Sequence, residues 1–183
     1  MDVLEAIASR VSAVRLGDPG PTDEQMDIIL KAAVRAPDHG RLAPWRLTVI
    51  EGAAREKLGQ AYVNLKRRLS PDQPSFDQGK ELMKAFRAPT IIAVGVSIQE
   101  DHKVPAVEQI VAAGAAVQNM FLAAHALGLG AMWKTGDLAY DDNMKSLLGL
   151  KASDAIVALL FVGTPPKLPP APVAELKGCV SWL

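Results

Sequence analysis

Between Ile110 and Trp133 the sequence is almost wholly apolar. A helix laid over Val107–Leu127 is therefore apolar on every side, and such a helix has to be buried on every side. The run approaches the ~20 residues of a membrane span. However, Gln118, Asn119 and His125 interrupt it, and Gly128-Leu129-Gly130 breaks the helical pattern before its end. The segment thus reads as a core helix. Small residues at Ala112, Ala113, Gly114, Ala115, Ala116, Ala123, Ala124 and Ala126 let other helices approach its axis closely. A chain of 183 residues that also has two apolar strands to cover has few elements left for that task. A second copy of the same helix supplies the missing cover, and the symmetric solution is a two-fold dimer.

The rest of the chain arranges itself around that helix. Asp2–Ser9 reads as a short amphipathic helix with Val3, Leu4 and Ile7 on one side. Thr22 and Gln25 have capping-box spacing and open a helix from Asp23 to about Arg35, with Met26, Ile29, Leu30, Ala33 and Val34 as its apolar stripe. Pro37 stops it. A strand is expected at Leu47–Glu51, a helix at Ala53–Leu69, a polar loop containing Pro71 and Pro74 at Ser70–Gly79, and a short helix at Glu81–Arg87. Thr90–Val96 and Ala155–Val162 are β-branched and apolar, as expected of strands covered on both faces. A short strand at Gly130–Lys134 and a helix near Tyr140–Leu148 lie between them. Five of the nine residues from Thr164 to Pro172 are proline, which holds the tail extended. Its apolar end, Val180-Ser181-Trp182-Leu183, has no local partner, so it either frays or packs on another subunit. The expected fold is α+β, a central mixed sheet surrounded by helices. It forms one domain over 1–183 with 164–183 as a proline-rich arm.

Several functions are excluded by charge and composition. Twenty basic residues balance twenty acidic ones, so no net field draws nucleic acid or an anionic membrane. Cys179 is the only cysteine and permits no intrachain disulfide. His39, His102 and His125 are too scattered for a metal site. The start, Met1-Asp2-Val3-Leu4-Glu5, carries acids where a targeting segment carries bases. The expected location is the cytoplasm.

Three segments carry candidate chemistry. Arg10-Val11-Ser12-Ala13-Val14-Arg15 offers two guanidinium groups and a hydroxyl, a donor set suited to a phosphate monoester. The alternative is a pair of arginines complementing a helix C-terminus. The loop Pro37–Trp45 is rigid and polar; its Asp38-His39 pair is either a general base with its carboxylate or part of a binding or structural loop. In Gly128–Gly136 the glycines allow close approach of backbone to a flat ligand, and Lys134 can place charge beside it. That segment follows a helix, so it is not a dinucleotide fingerprint. His125, on an apolar helix face, reads as a satisfied core residue.

In order along the chain stand Arg10-x-Ser12, Arg35-Ala36-Pro37-Asp38-His39, Pro44-Trp45, Phe86-Arg87-Ala88-Pro89 and His102-Lys103-Val104-Pro105. Leu127-Gly128-x-Gly130, Trp133-Lys134-Thr135-Gly136 and Val162-Gly163-Thr164-Pro165 follow. Over nearly its whole length this set resembles the nitroreductase family, its short members above all. The resemblance implies an intertwined homodimer with FMN at two equivalent subunit interfaces, NAD(P)H as electron donor and a small electron-poor acceptor such as a nitroaromatic or quinone. It implies FMN contacts from Arg10, Val11 and Ser12, further contacts from Arg35 and His39, and a flavin-lining segment at Trp133, Lys134 and Thr135. Lys167 lies near the place of a basic phosphate ligand in relatives. Arg35 and Lys134 are the candidates to stabilise reduced flavin, and no side-chain acid or base is required, because the flavin carries the chemistry. Asp38, His39, Arg41 and Ala43 stand where broader members have Ser, Asn or Gln, which bears on redox potential and substrate choice. The stretch from Ala53 to Pro89 is too short for a large lid. A relative with another flavin reaction, or a non-catalytic flavin-binding protein, are the alternatives.

Overall fold

The computed structural model describes residues 1–72, 75–176 and 178–183. The described residues form six α-helices and four strands. They are α1 (Val3–Ser9), α2 (Asp23–Ala33), β1 (Trp45–Glu51), α3 (Ala54–Leu69), α4 (Gln78–Leu82), β2 (Thr90–Val96), α5 (Ala106–Ala126), β3 (Gly130–Lys134), α6 (Asp142–Leu147) and β4 (Ala155–Gly163). The capping box forms as its spacing requires. The Thr22 hydroxyl accepts from the Gln25 amide N–H at 3.2 Å, and the Gln25 side chain accepts from the Thr22 N–H at 3.0 Å. In the polar loop expected at 70–79, α4 already begins at Gln78; Pro74 lies outside the described residues.

The sheet order is β1-β2-β4-β3, and all three pairings are antiparallel. This corrects the expectation of mixed directions. α5 carries the chain from β2 to β3, and these two strands do run the same way, as a helical crossover predicts. β4 inserts between them, so they never pair. Direction was legible from the crossover; adjacency was not.

Alternate residues of β2 and β4 face two cores. On one face Ile92, Val94, Val96, Leu160 and Val162 pack against Ile29 and Ala33 of α2 and Ala113, Val117, Met120 and Phe121 of α5. On the other, Ile91, Ala93, Leu159 and Phe161 pack against Leu58 of α3, Met144 of α6 and Leu138. α5 is the one helix among the described residues long and apolar enough to cross a membrane. It packs in the first core, and Asn119 donates from Nδ2 to the Ala32 carbonyl of α2 at 3.1 Å.

α5 is not covered all round within one chain; the sequence reading assigns the missing cover to a second copy of the helix. Val107 and Val111 are 63% and 65% exposed, and Gln118 is open on the same stripe. α1 behaves alike: its apolar Val3, Leu4 and Ile7 face outward and only Ala6 is buried. Beyond Thr164 the arm forms no helix or strand among its described residues and leaves Val173, Leu176, Trp182 and Leu183 exposed.

Candidate functional site

α1 is capped by Asp2, whose Oδ1 accepts from the Glu5 N–H at 2.9 Å, and ends as Arg10 turns extended. The following residues run beside the free edge of β3. The Ala13 N–H donates to the Ala131 carbonyl at 2.8 Å, and Gly17 and Thr164 exchange two backbone hydrogen bonds. Gly130 is required there, because a Cβ would stand 2.8 Å from Leu16 and 2.9 Å from Ala13. The Arg10 guanidinium lies 4.6 Å from the centroid of the Phe121 ring of α5. Val11 is buried and Ser12 exposed. The single hydroxyl proton of Ser9 is given to the Glu5 carbonyl at 2.7 Å, so its oxygen accepts from His125 Nε2–H at 2.8 Å. His125 is thus a satisfied residue that pins the N-terminal segment to α5. Lys167 follows three residues after Thr164, itself held against Gly17.

Arg35 and His39 stand elsewhere. Arg35 is exposed just past α2. His39 opens a 3₁₀ turn over His39–Arg41; Gly40 and Arg41 within it and Ala43 just after it have positive φ, at 76°, 55° and 46°. The turn is held by Asp38, whose Oδ2 accepts from the Ala43 N–H at 2.7 Å. Gly40 fits closely over Val104. The Val104 carbonyl accepts from the buried Gln109 side chain at 3.0 Å. The Asp38 carboxylate therefore braces the turn, which removes the Asp38-His39 dyad. The partner of His39 is Glu108, in the first turn of α5, with Nδ1 to Oε2 at 2.5 Å. Sequence reading missed Glu108; its signal was an acid just after Pro105, where a helix begins. An apolar groove of about 300 Å³ opens beside the pair, floored by Val107, Val111, Ala112 and Ala115.

β3 carries the third group, and here the alternation of a strand matters. Trp133 pairs with Leu160 and Lys134 with Leu159, residues of opposite cores, so their side chains leave opposite faces of the sheet. Trp133 Nε1 donates to the Val157 carbonyl at 3.0 Å. Lys134 Nζ sits 5.0 Å from the Phe161 ring, and burial, assisted by Arg87, lowers its pKa. Thr135 and Gly136 form one wall of a cleft of about 240 Å³ whose other walls include Tyr62, Leu65, Lys66 and Lys84. Lys84 pairs with Glu81 and lies 5.6 Å from the Tyr62 ring. Burial of Tyr62 pushes its phenol up to about 12. Lys66 and Lys84 were not singled out from the sequence, because lysines on a polar helix face look like solvated ones.

The candidate residues thus fall into two separated groups. Arg10–Ser12 and β3 are neighbours through Ala13 and Ala131. His39 pairs with Glu108 at the start of α5, and Arg10 lies over Phe121, thirteen residues on. At the α-helical rise that separation is on the order of 20 Å. Among the described residues no cluster of His, Cys, Asp and Glu could hold a metal ion.

The nitroreductase family model matches residues 7–164. The chain is 41% identical over 165 residues to the Escherichia coli K12 protein named "Putative NAD(P)H nitroreductase YdjA", covering 90% of this chain and 89% of that one. A nitroreductase-like family protein from Bacillus cereus superposes with a TM-score of 0.84 at 25% identity, covering 100% of this chain and 96% of the other. A nitroreductase from Desulfovibrio desulfuricans solved in complex with FMN gives 0.75 at 29% identity, covering 98% and 95%. Motif order, fold and these likenesses agree, and the chain belongs to the nitroreductase family.

Proposed function

We propose that this protein is an FMN-dependent NAD(P)H oxidoreductase, a homodimer that reduces nitroaromatics, quinones or similar electron-poor acceptors in a ping-pong sequence. Relatives named for NAD(P)H nitroreductase activity and a relative solved with FMN support the cofactors. The observation that carries the shared site is the separation of the two residue groups along an α5 whose outer face is open. The point midway between Glu108 and Phe121 falls at Gly114–Ala115. An antiparallel pairing of two α5 helices about that point sets the His39 loop of one subunit beside the Arg10 segment of the other. Such a pairing is isologous and closed. It also covers Val107 and Val111, which one chain leaves open.

The donor chemistry fits FMN. Arg10 and Ser12, with Arg15 close along the chain and Lys167 three residues past the Thr164 that bonds to Gly17, supply charge-assisted donors for a phosphate monoester. Thr135 and Gly136 offer backbone to a ring, and a Cβ at Gly136 would meet nothing within 4 Å. When bound, FMN supplies the redox chemistry, accepting hydride from the reduced nicotinamide and delivering electrons to the acceptor. Lys84, which lines the cleft, and Lys134, the residue before Thr135, provide positive charge where reduced flavin is anionic. Arg35 and His39 come from the second subunit. The balanced charge and single cysteine suit a cytoplasmic enzyme.

The test is a spectral titration of the apoprotein with FMN, followed by NADH and NADPH oxidation with a nitroaromatic or quinone. About one FMN per chain and acceptor-dependent oxidation are expected. Protein that takes up no FMN refutes the reading. FMN uptake with both nicotinamides inert assigns the chain to a different flavin reaction or to flavin binding alone.

A further inference from the structure

We infer that Glu108 is a positioning residue for His39, fixing the imidazole so that Nδ1 faces the carboxylate and Nε2 is the end presented to the ligand. The inference rests on the proposed flavin site. Three observations support it. First, Glu108 Oε2 lies within hydrogen-bonding distance of His39 Nδ1. A carboxylate only accepts, so the Nδ1 proton is committed to it and the ring is held in one tautomer. Second, Asp38 is unavailable for this work, because it accepts the Ala43 N–H and fixes the positive-φ turn. The turn is thereby rigid, and the ring's remaining freedom is rotation about its own bonds, which Glu108 removes. Third, Glu108 sits on α5 beside the apolar groove of Val107, Val111 and Ala115. Where a second subunit covers that groove, the pair is sheltered from water, and a sheltered hydrogen bond holds orientation better than an exposed one. Glu108 does not itself touch the ligand in this scheme; it acts through His39.

The experiment uses the full-length protein. Ring ¹H–¹⁵N correlation spectra of the three histidines, with His39 assigned by His39→Asn, are compared between wild type and Glu108→Ala without FMN. A protonated Nδ1 is expected in the wild type, and loss of that preference in Glu108→Ala. Unchanged His39 signals overturn the inference. FMN dissociation constants are then measured for Glu108→Ala, Glu108→Gln, His39→Ala and the double variant Glu108→Ala/His39→Ala. Glu108→Ala weakens binding about tenfold, the low end of what losing an orienting partner costs behind a metal-bound histidine. Glu108→Gln, which keeps an acceptor oxygen, recovers most of the loss. The double variant binds no worse than His39→Ala alone. If the Glu108→Ala loss persists undiminished in the His39→Ala background, Glu108 does not act through His39. A wild type that binds no FMN refutes the functional reading, while the spectra still decide the tautomer.

Discussion

Gly114→Leu has opposite expected effects depending on what covers α5. Within one chain a Cβ at Gly114 would meet nothing within 4 Å, so a longer side chain starts out in open space. Leucine in a helix interior is favoured over glycine by about 0.8 kcal/mol. An isolated chain would therefore become more stable, and for a domain of this size 1 kcal/mol corresponds to roughly 2–4 °C in Tm. In the proposed dimer Gly114 lies at the two-fold axis, where the two helices approach each other, and both new side chains enter the same space. Overpacking costs about 1–3 kcal/mol per inserted side chain, and two-fold symmetry inserts two. The net effect on association is a loss of roughly 2–6 kcal/mol before relaxation. Analytical ultracentrifugation from micromolar to nanomolar concentration reads the subunit equilibrium, and FMN titration reads the shared site. The expected result is a monomer-shifted protein with weakened FMN binding and a Tm no higher than that of the wild type. A Gly114→Leu protein that stays dimeric, binds FMN normally and melts higher would refute the α5 pairing.

Arg10→Ala is expected to raise the FMN dissociation constant ten- to a hundredfold, the loss of a charged hydrogen bond worth about 1.5–3 kcal/mol. Its Tm falls only by the loss of one cation–aromatic contact with Phe121; spectral titration and calorimetry separate the two. Removing residues 165–183, which spares the Gly17–Thr164 pair, should increase the monomer fraction on dilution, read by light scattering. Tyr62 holds its proton to about 12 in the fold. The unfolded chain loses it near 10, so this contribution is fully present below pH 10 and disappears as pH rises toward 12. The full difference is at most roughly 2–3 kcal/mol. Tyr62→Phe should therefore lose less stability than wild type between pH 9 and 11.5 in urea melts.

Local pattern was legible wherever a side chain speaks for its own segment. The Thr22–Gln25 box and the Gly128–Gly130 break marked element edges correctly, and the β-branched run of β2 announced a strand buried on both faces. What could not be read was non-local. β4 enters between β2 and β3 from sixty residues away, and no residue in either strand records that neighbour. The apolar composition of α5 reported that cover is needed on every side, but not which stripe a single chain leaves open. For the site, Arg10, Ser12 and the segment at Trp133 were visible as donor types and close backbone. Glu108 was not, since its meaning depends on His39, 69 residues earlier. Asp38 is the nearer acid along the chain, but it braces the turn, the structural alternative to a dyad that the sequence had offered.

The Trp133–Val157 hydrogen bond has a mechanical consequence. Val94 pairs with Ala158 and Gly95 with Ile156, so Val157 is the surplus residue of a β-bulge and its carbonyl turns out of the β2 ladder. An indole from β3 captures that carbonyl. β3 is a five-residue edge strand, the kind that slides in register most easily. Here the bulge works as a detent: the indole engages only when Trp133 stands opposite Leu160. The position of Thr135 and Gly136 is therefore inherited from an irregularity in β4, more than twenty residues later. Deleting a single residue between Ala155 and Ala158 would release the detent and shift the cleft wall, without touching any residue that lines it.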